Sequence, residues 1–460
     1  MIRPFSLSEA ATMIGAQPPE QSGTFSEVSI DTRTLSPGAL FIALRGERFD
    51  GHDFLSEAAR LGAVAAVVDT EQPGAKLPQL VVEDTVTALG QLGRGNRSLC
   101  EAGVAAITGS SGKTTVKEML AGMCLRSGPT LATEGNRNNH IGVPLTLFRL
   151  CEEHQYAVIE LGASGVGEIN DTVNLVQPTV ALITIAGDAH LEGFGSYENI
   201  VLGKGEIIDG VSENGTVVLN ADDPACEQWR DRAGHRRVWT VSVDAGRSAD
   251  FRLVSVAALA DGESLTVCDP EGRAVSLTLR LPGAHNRTNA MLALAAARAL
   301  GVDDDAIDDG LASVGPVEGR LQVHPLGAGR ELIDDSYNAN PGSLSAALTL
   351  LSDKPGRRVA VLGTMAELGP DAARLHEQAG QEARLAGVDR LLALGPNAED
   401  YCRGFGEGSR VCSGHDEAIR EVLPELAAAV TVLVKGSRSS AMETVARAIK
   451  TKVQDECCSG

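Results

Sequence analysis

The sequence predicts an α/β protein of three domains: a small N-terminal α/β domain, a central domain built on a mostly parallel sheet, and a C-terminal doubly wound domain of Rossmann-like pattern. Three observations carry that expectation. The chain has 460 residues, enough for three domains of ordinary size. Short apolar runs alternate with stretches of helical spacing, the pattern of a parallel sheet with helices on both faces. The alternation divides into segments 1–83, 84–316 and 317–460, with Val314-Gly315-Pro316-Val317-Glu318-Gly319-Arg320 at the second boundary.

Bulk composition narrows the classes of function. The chain is 43% hydrophobic and 22% charged, as ordinary soluble globular proteins are. Its formal net charge of -21, from 40 basic and 61 acidic side chains, argues against nucleic acid or an anionic membrane as main partner. Aromatic residues make up only 3%, too few for base-stacking platforms. The 9 cysteines include no C-x-x-C pair, which fits reduced thiols and a cytoplasmic location. No apolar run reaches the length of a membrane span, so no membrane insertion is expected, and the N-terminus lacks the apolar core of a signal peptide.

In the first segment, Ser6-Leu7-Ser8-Glu9 is a capped helix start. Strands are expected at Val28–Arg33, Ala39–Leu44 and Ala63–Val68, with a helix over 54–61 and a polar turn at Asp50-Gly51-His52-Asp53. Thr32, Arg33 and the 46–52 loop could hold a diphosphate or sugar, but spacing alone favours a solvated turn with Arg33 in a surface pair.

The central segment opens on Val104-Ala105-Ala106-Ile107, a buried strand. It runs into Thr108-Gly109-Ser110-Ser111-Gly112-Lys113-Thr114-Thr115 and then a helix with Val116, Met119, Leu120 and Met123. Strand, glycine loop and helix let backbone N–H groups wrap a phosphate chain at a helix N-terminus, as in a P-loop ATPase. Lys113 would reach the terminal phosphates and a Thr hydroxyl would bind Mg²⁺. Ile107 stands where the strict spacing has Gly, so the loop is a short G-x-x-G-K-T-T form. Two further strands, Tyr156–Gly162 and Val180–Ile185, end near Glu160 and Asp188-Ala189-His190, on the sheet edge that carries the loop. Glu160 and His190 therefore converge on the phosphate site, and both residue types bind divalent cations. Lys204 lies in a helix and, on spacing, is a solvated lysine. Residues 238–280 read as short antiparallel strands. Asn286 and Asn289, on one face ahead of the helix Ala290–Leu300, fit a helix cap or a nucleotide contact.

The third segment holds Glu331–Asp335, followed by the polar loop Ser336-Tyr337-Asn338-Ala339-Asn340-Pro341, and strands at Arg358–Gly363, Arg390–Gly395 and Val430–Gly436. Helices are expected over 372–386 and 416–429. Lys435 and Arg438 are placed to present charge to an anionic substrate.

These residues together resemble the Mur ligase family. The short phosphate loop, Asn136-Arg137-Asn138-Asn139-His140-Ile141-Gly142-Val143-Pro144, Ala189–Ser196 followed by Lys204-Gly205-Glu206, and Asp335–Pro341 are similar to its motifs, over the chain to about residue 450. The last two resemble the branch that adds D-alanyl-D-alanine to UDP-N-acetylmuramoyl-tripeptide. The resemblance implies a cytoplasmic, monomeric, ATP-dependent amide ligase acting through an acyl phosphate. Gly109, Ser110, Ser111, Gly112, Lys113, Thr114, Thr115, Asn286, Asn289, Arg320 and Asn338 would line the nucleotide site. Thr114, Glu160, His190 and a carbamylated Lys204 would hold Mg²⁺, and Lys113, His190 and Lys204 would be the catalytic set. Segment 1–83 would bind the UDP moiety through Thr32 and Arg33, 84–316 ATP, and 317–460 the incoming dipeptide, with Lys435 and Arg438 as substrate contacts. Three residues depart from the family pattern: Ile185 for Asn, Thr364 for Asp, and Ser440 for Met. The ligase of the preceding step is the rival reading, and its diaminopimelate-adding forms carry an Asp-Asn-Pro-Arg stretch that the third segment lacks.

Overall fold

A computed structural model describes residues 1–187 and 190–458, with side chains to residue 454. The N-terminal part pairs Phe5–Ser6 with Thr24–Phe25 and continues into a parallel sheet of Val28–Ser29, Leu40–Ile42, Ala65–Val68 and Gln79–Val81, in sequence order. The helix Leu7–Ile14 starts on a capping box: Glu9 N–H donates to the Ser6 hydroxyl at 3.1 Å, and Ser6 N–H donates to the Glu9 carboxylate at 2.8 Å. The 50–53 turn is a 3₁₀ turn, Gly51–Phe54, which runs straight into the helix Leu55–Leu61. Asp50 starts it by accepting from His52 N–H at 2.9 Å.

The helix Thr85–Arg97, capped by Asp84, joins this part to the next. Ala88, Leu89 and Leu92 fill the N-terminal core. Buried Asn96 and Arg97 at its other end donate to the carbonyls of Leu147 (2.8 Å) and Val176 (2.8 Å) in the central part. Polar side chains thus satisfy carbonyls that burial would otherwise orphan.

The central sheet has nine strands. From one edge their order is Ala274–Leu279, Gly262–Cys268, Phe251–Leu259, Arg237–Ser242, Thr216–Asn220, Val180–Ile183, Gly103–Thr108, Tyr156–Glu160 and Thr130–Ala132. Apolar clusters cover both faces of the parallel part, which is why Gly103–Thr108, Tyr156–Glu160 and Val180–Ile183 are largely apolar, whereas the edge strands Phe251–Leu259, Gly262–Cys268 and Ala274–Leu279 are partly exposed. Parallel pairing brings Thr108, Glu160, Ile183 and Asn220 to one edge. The 238–280 region is antiparallel only in its last three strands. Arg237–Ser242 joins in parallel because it returns through the helix Cys226–Ala233, a crossover, whereas a two-residue turn joins Phe251–Leu259 to Gly262–Cys268. The helix expected from Ala290 begins earlier and spans His285–Ala299.

The C-terminal sheet is ordered Gln322–Gly327, Arg330–Asp335, Val430–Lys435, Arg357–Gly363, Arg390–Leu394 and Ser409–Cys412. Its first pair is an antiparallel hairpin and the other pairs are parallel, with a core on each face. The 416–429 helix is shorter than expected: His415–Val422 gives way to a 3₁₀ turn, Leu423–Ala427, where Pro424 lacks the N–H to continue it. Register places Asp335 beside Lys435. The carboxyl edges of the central and C-terminal sheets thus face one cavity, the place where open α/β sheets bind ligands. Among the described residues no helix is long and apolar enough to cross a membrane.

Candidate functional site

The cavity has a volume of about 510 Å³ and is walled by the 110–115 loop, the strand ends at Glu160 and Thr184, the start of the 285–299 helix, and the hinge and loops of the C-terminal part. The loop's shape is set by its glycines and by the neighbouring strand. Gly112 has φ 79 and opens the helix Lys113–Ser127. A Cβ there would lie 2.9 Å from Asn289 Oδ1, so glycine lets the Asn289 side chain lie against the loop. Ser110 N–H donates to the Ile185 carbonyl at 2.8 Å, and the Thr184 hydroxyl donates to the Ser111 carbonyl at 2.6 Å. Among the described residues no side chain caps the 113–127 helix, which leaves its first N–H groups for an anion.

Lys113 Nζ donates to the Gly109 carbonyl at 2.6 Å and folds over the loop. Burial holds its ammonium below the ordinary lysine range; Glu160 opposes that shift and Arg320 adds to it. Lys113 and Arg320 are therefore two cations facing the same space, an arrangement that a polyphosphate would relieve. Asn289 donates to Asn286 Oδ1 at 2.9 Å and Asn286 to the Pro282 carbonyl at 2.6 Å, so both are wall residues within the helix and neither caps it. Gly109 contributes through its backbone; Ser110, Ser111, Thr115, Asn286, Asn289, Arg320 and Asn338 line the cavity.

Glu160 is 2% exposed and accepts from the Thr114 hydroxyl at 2.9 Å and from Asn138 Nδ2 at 2.8 Å. Carboxylate and hydroxyl are hard oxygen donors suited to Mg²⁺, which takes one or two carboxylates and completes its shell with phosphate oxygens and water. Among the described residues no three His, Cys, Asp or Glu side chains form a closed metal cage. His190 lines the same cavity, with φ 59 and Nδ1 against the carboxylate of Glu367. Asp188 and Ala189, singled out beside it, lie outside the described residues.

Lys204 differs from its reading on spacing. It is fully buried, with Nζ donating to the Ala163 carbonyl at 3.2 Å and lying 4.9 Å from the Phe194 ring centre. Burial, reinforced by the charge of Lys113, lowers its pKa to about 7. Helical spacing missed this because the face Lys204 occupies is covered by tertiary packing.

On the C-terminal side, Arg320 lies over the Tyr337 ring at 4.2 Å. Asp335 accepts from the hinge N–H of Leu321 at 3.0 Å and from Lys435 Nζ at 2.5 Å, and Lys435 also donates to the Asn338 carbonyl at 2.9 Å. Lys435 is thus a buried tether at the cavity wall, while Arg438 is largely exposed and lies 5.6 Å from the Tyr337 ring. Thr32 and Arg33 are not brought to this cavity; they form a 3₁₀ turn of the N-terminal part, with Arg33 paired to Asp31 at 2.6 Å.

The departures from the family pattern have local accounts. Ile185 acts through its carbonyl, so its side chain makes no polar contribution to the loop. Thr364 and Ser440 are neighbours: the Ser440 hydroxyl donates to the Thr364 carbonyl at 3.1 Å. Sequence reasoning left out of the site Asn138, Thr184, His285, Tyr337 and Glu367. Asn138 and Tyr337 stood inside quoted motifs, whereas Glu367 carries no sequence signal, since its partner is 177 residues away.

Comparison with known proteins places this geometry. The model for the Mur ligase middle domain matches residues 107–297, that for the Mur ligase, glutamate ligase domain 319–438, and that for the Mur ligase family, catalytic domain 24–97. The chain belongs to the Mur ligase family. It is similar to the UDP-N-acetylmuramoyl-tripeptide–D-alanyl-D-alanine ligase of Escherichia coli strain K12, 43% identical over 446 residues that cover 97% of this chain and 98% of that one. Among solved structures it is similar to MurF from Acinetobacter baumannii, with TM-score 0.91 and 34% identity over 98% of this chain and 99% of that one. It is also similar to MurF ligase from Thermotoga maritima in complex with ADP, with TM-score 0.83 and 27% identity over 94% and 98%.

Proposed function

We propose that this chain joins D-alanyl-D-alanine to UDP-N-acetylmuramoyl-tripeptide with cleavage of ATP, the last cytoplasmic step in making the peptidoglycan pentapeptide precursor. The observation that carries this reading is the shared cavity: the phosphate loop, Glu160 and the ends of the C-terminal strands all wall one space. Relatives covering nearly the whole chain carry the same ligase name, and one similar structure holds ADP.

A carboxylate is a poor electrophile. Its oxygen attacks the γ-phosphorus of ATP, the bond to ADP breaks, and an acyl phosphate forms. The dipeptide amine then attacks the acyl carbon, a proton leaves, and the tetrahedral intermediate expels phosphate. The residues' task is to bring anions together and hold them in line. Loop N–H groups and Lys113 cradle the phosphates, Arg320 faces them from the hinge, and Asn286, Asn289 and Asn338 border the nucleotide. Thr114 and Glu160 would hold Mg²⁺, joined by His190 and Lys204; when bound, that ion neutralises phosphate charge. The low pKa of Lys204 leaves a large neutral fraction near pH 7. Its amine can then attack CO₂, forming an N–C bond and losing a proton, to give the carbamate. The N-terminal part, with Thr32 and Arg33, would take the UDP end, and the C-terminal part, with Lys435 and Arg438, the dipeptide. The enzyme works as a cytoplasmic monomer and supports cell-wall growth, cell shape and division.

The test is phosphate release by the purified protein. UDP-tripeptide with D-alanyl-D-alanine is expected to support turnover, and either alone is not. Preference for UDP-dipeptide with a diamino acid would overturn the reading in favour of the preceding ligase, and amine-independent ATP cleavage would overturn ligation altogether.

A further inference from the structure

His190 is held from outside its own domain. Its Nδ1 meets the carboxylate of Glu367, which belongs to the loop that follows the C-terminal strand Arg357–Gly363. The attachment is wider than one pair. Glu192 N–H donates to the Glu367 carbonyl at 3.0 Å. Leu191 packs against both the central and the C-terminal cores. Gly369 comes close enough that a Cβ on it would lie 3.5 Å from Glu192 Cα. His190 and Glu367 both have left-handed backbones, φ 59 and φ 62, which L side chains adopt only where the surroundings impose it.

The Glu367 carboxylate accepts a hydrogen bond from Nδ1–H, which keeps the proton on Nδ1 and leaves Nε2 with a free lone pair. That is the tautomer a metal-binding histidine needs, and outer carboxylates set it in known metal sites. We propose that Glu367 is a positioning residue for His190, delivered by the C-terminal domain, so that docking of this domain completes the histidine side of the cation site. The proposal rests on the reading of His190 as a cation ligand. By linkage, the cation must then favour the docked arrangement by the same factor as docking favours the cation.

The test uses the full chain with ADP and Mn²⁺ as spectroscopic probe, reading Mn²⁺ affinity by electron paramagnetic resonance and compaction by small-angle scattering. Glu367→Ala is expected to weaken Mn²⁺ about tenfold or more, within the range for outer-shell partners, while ADP alone binds as in wild type. Glu367→Gln, whose amide oxygen still accepts from Nδ1–H, should retain part of the affinity. Mn²⁺-induced compaction should shrink in Glu367→Ala, and adding this change to His190→Ala should cost nothing further. Wild-type Mn²⁺ affinity in Glu367→Ala, with His190→Ala impaired, overturns the proposal alone. Unchanged affinity in His190→Ala overturns both the proposal and the reading of His190 beneath it.

Discussion

Replacing Lys204 by Met in the ligand-free protein, in CO₂-free buffer, should change stability with a pH dependence that reports its burial. The amine is lowered from 10.5 to about 7, chiefly by desolvation. The folded state thus binds a proton less readily than the unfolded chain between those values. Stability of the wild type is penalised by the charged form below pH 7 and recovers as pH rises toward 10.5. At about 1.4 kcal/mol per unit, the full penalty is about 5 kcal/mol. Methionine carries no such penalty but loses the hydrogen bond to Ala163, which contributes about 1 kcal/mol. The variant's relative stability should therefore fall by about 3 kcal/mol between about pH 6 and pH 9.5. For a domain of this size that is a change of about 6 to 12 °C in the difference between the two Tm values, read by calorimetry at matched pH. Groups that do not interact with Lys204 titrate alike in both proteins and cancel. A Tm difference that stays constant across this range would refute the burial argument and, with it, the physical basis for carbamate formation at Lys204.

Three other outcomes are expected. Lys113→Ala should lower ligase turnover by about 1000-fold or more with unchanged circular dichroism, because the phosphates lose a preorganised cation; near-wild-type phosphate release would contradict its placement. Gly112→Ala forces a Cβ to 2.9 Å from Asn289 Oδ1 at φ 79, and should weaken ADP in calorimetric titration by about tenfold or more. His376 accepts from Met365 N–H at 2.9 Å, and burial lowers its pKa. His376→Ala should destabilise the C-terminal domain by about 2 kcal/mol in urea unfolding. Because its folded pKa is lowered, wild-type stability should fall as pH drops below about 6.5, and the variant should lack that part of the fall.

The phosphate loop was legible because its determinants are contiguous. A buried strand, two glycines and Lys113 at a helix start specify local geometry that tertiary contacts then tighten. The edge positions of Glu160 and His190 followed from parallel pairing alone. Ile185 shows the limit of side-chain reasoning: the bond it supplies is a main-chain carbonyl, which any residue carries. Thr184, whose hydroxyl locks the loop, stood inside a strand and looked like ordinary sheet filling.

What the sequence by itself determined is the order of the domains, the alternation that makes the central and C-terminal sheets mostly parallel, and the residue types that cradle a phosphate chain. Each is encoded within a few tens of residues by period, turn chemistry or motif. Tertiary structure alone decided that Lys204 is buried and weakly basic, that Arg320 lies over Tyr337, and that Glu367 holds His190. Desolvation and contacts across 177 residues depend on how separate faces pack, and no local period records which faces will meet.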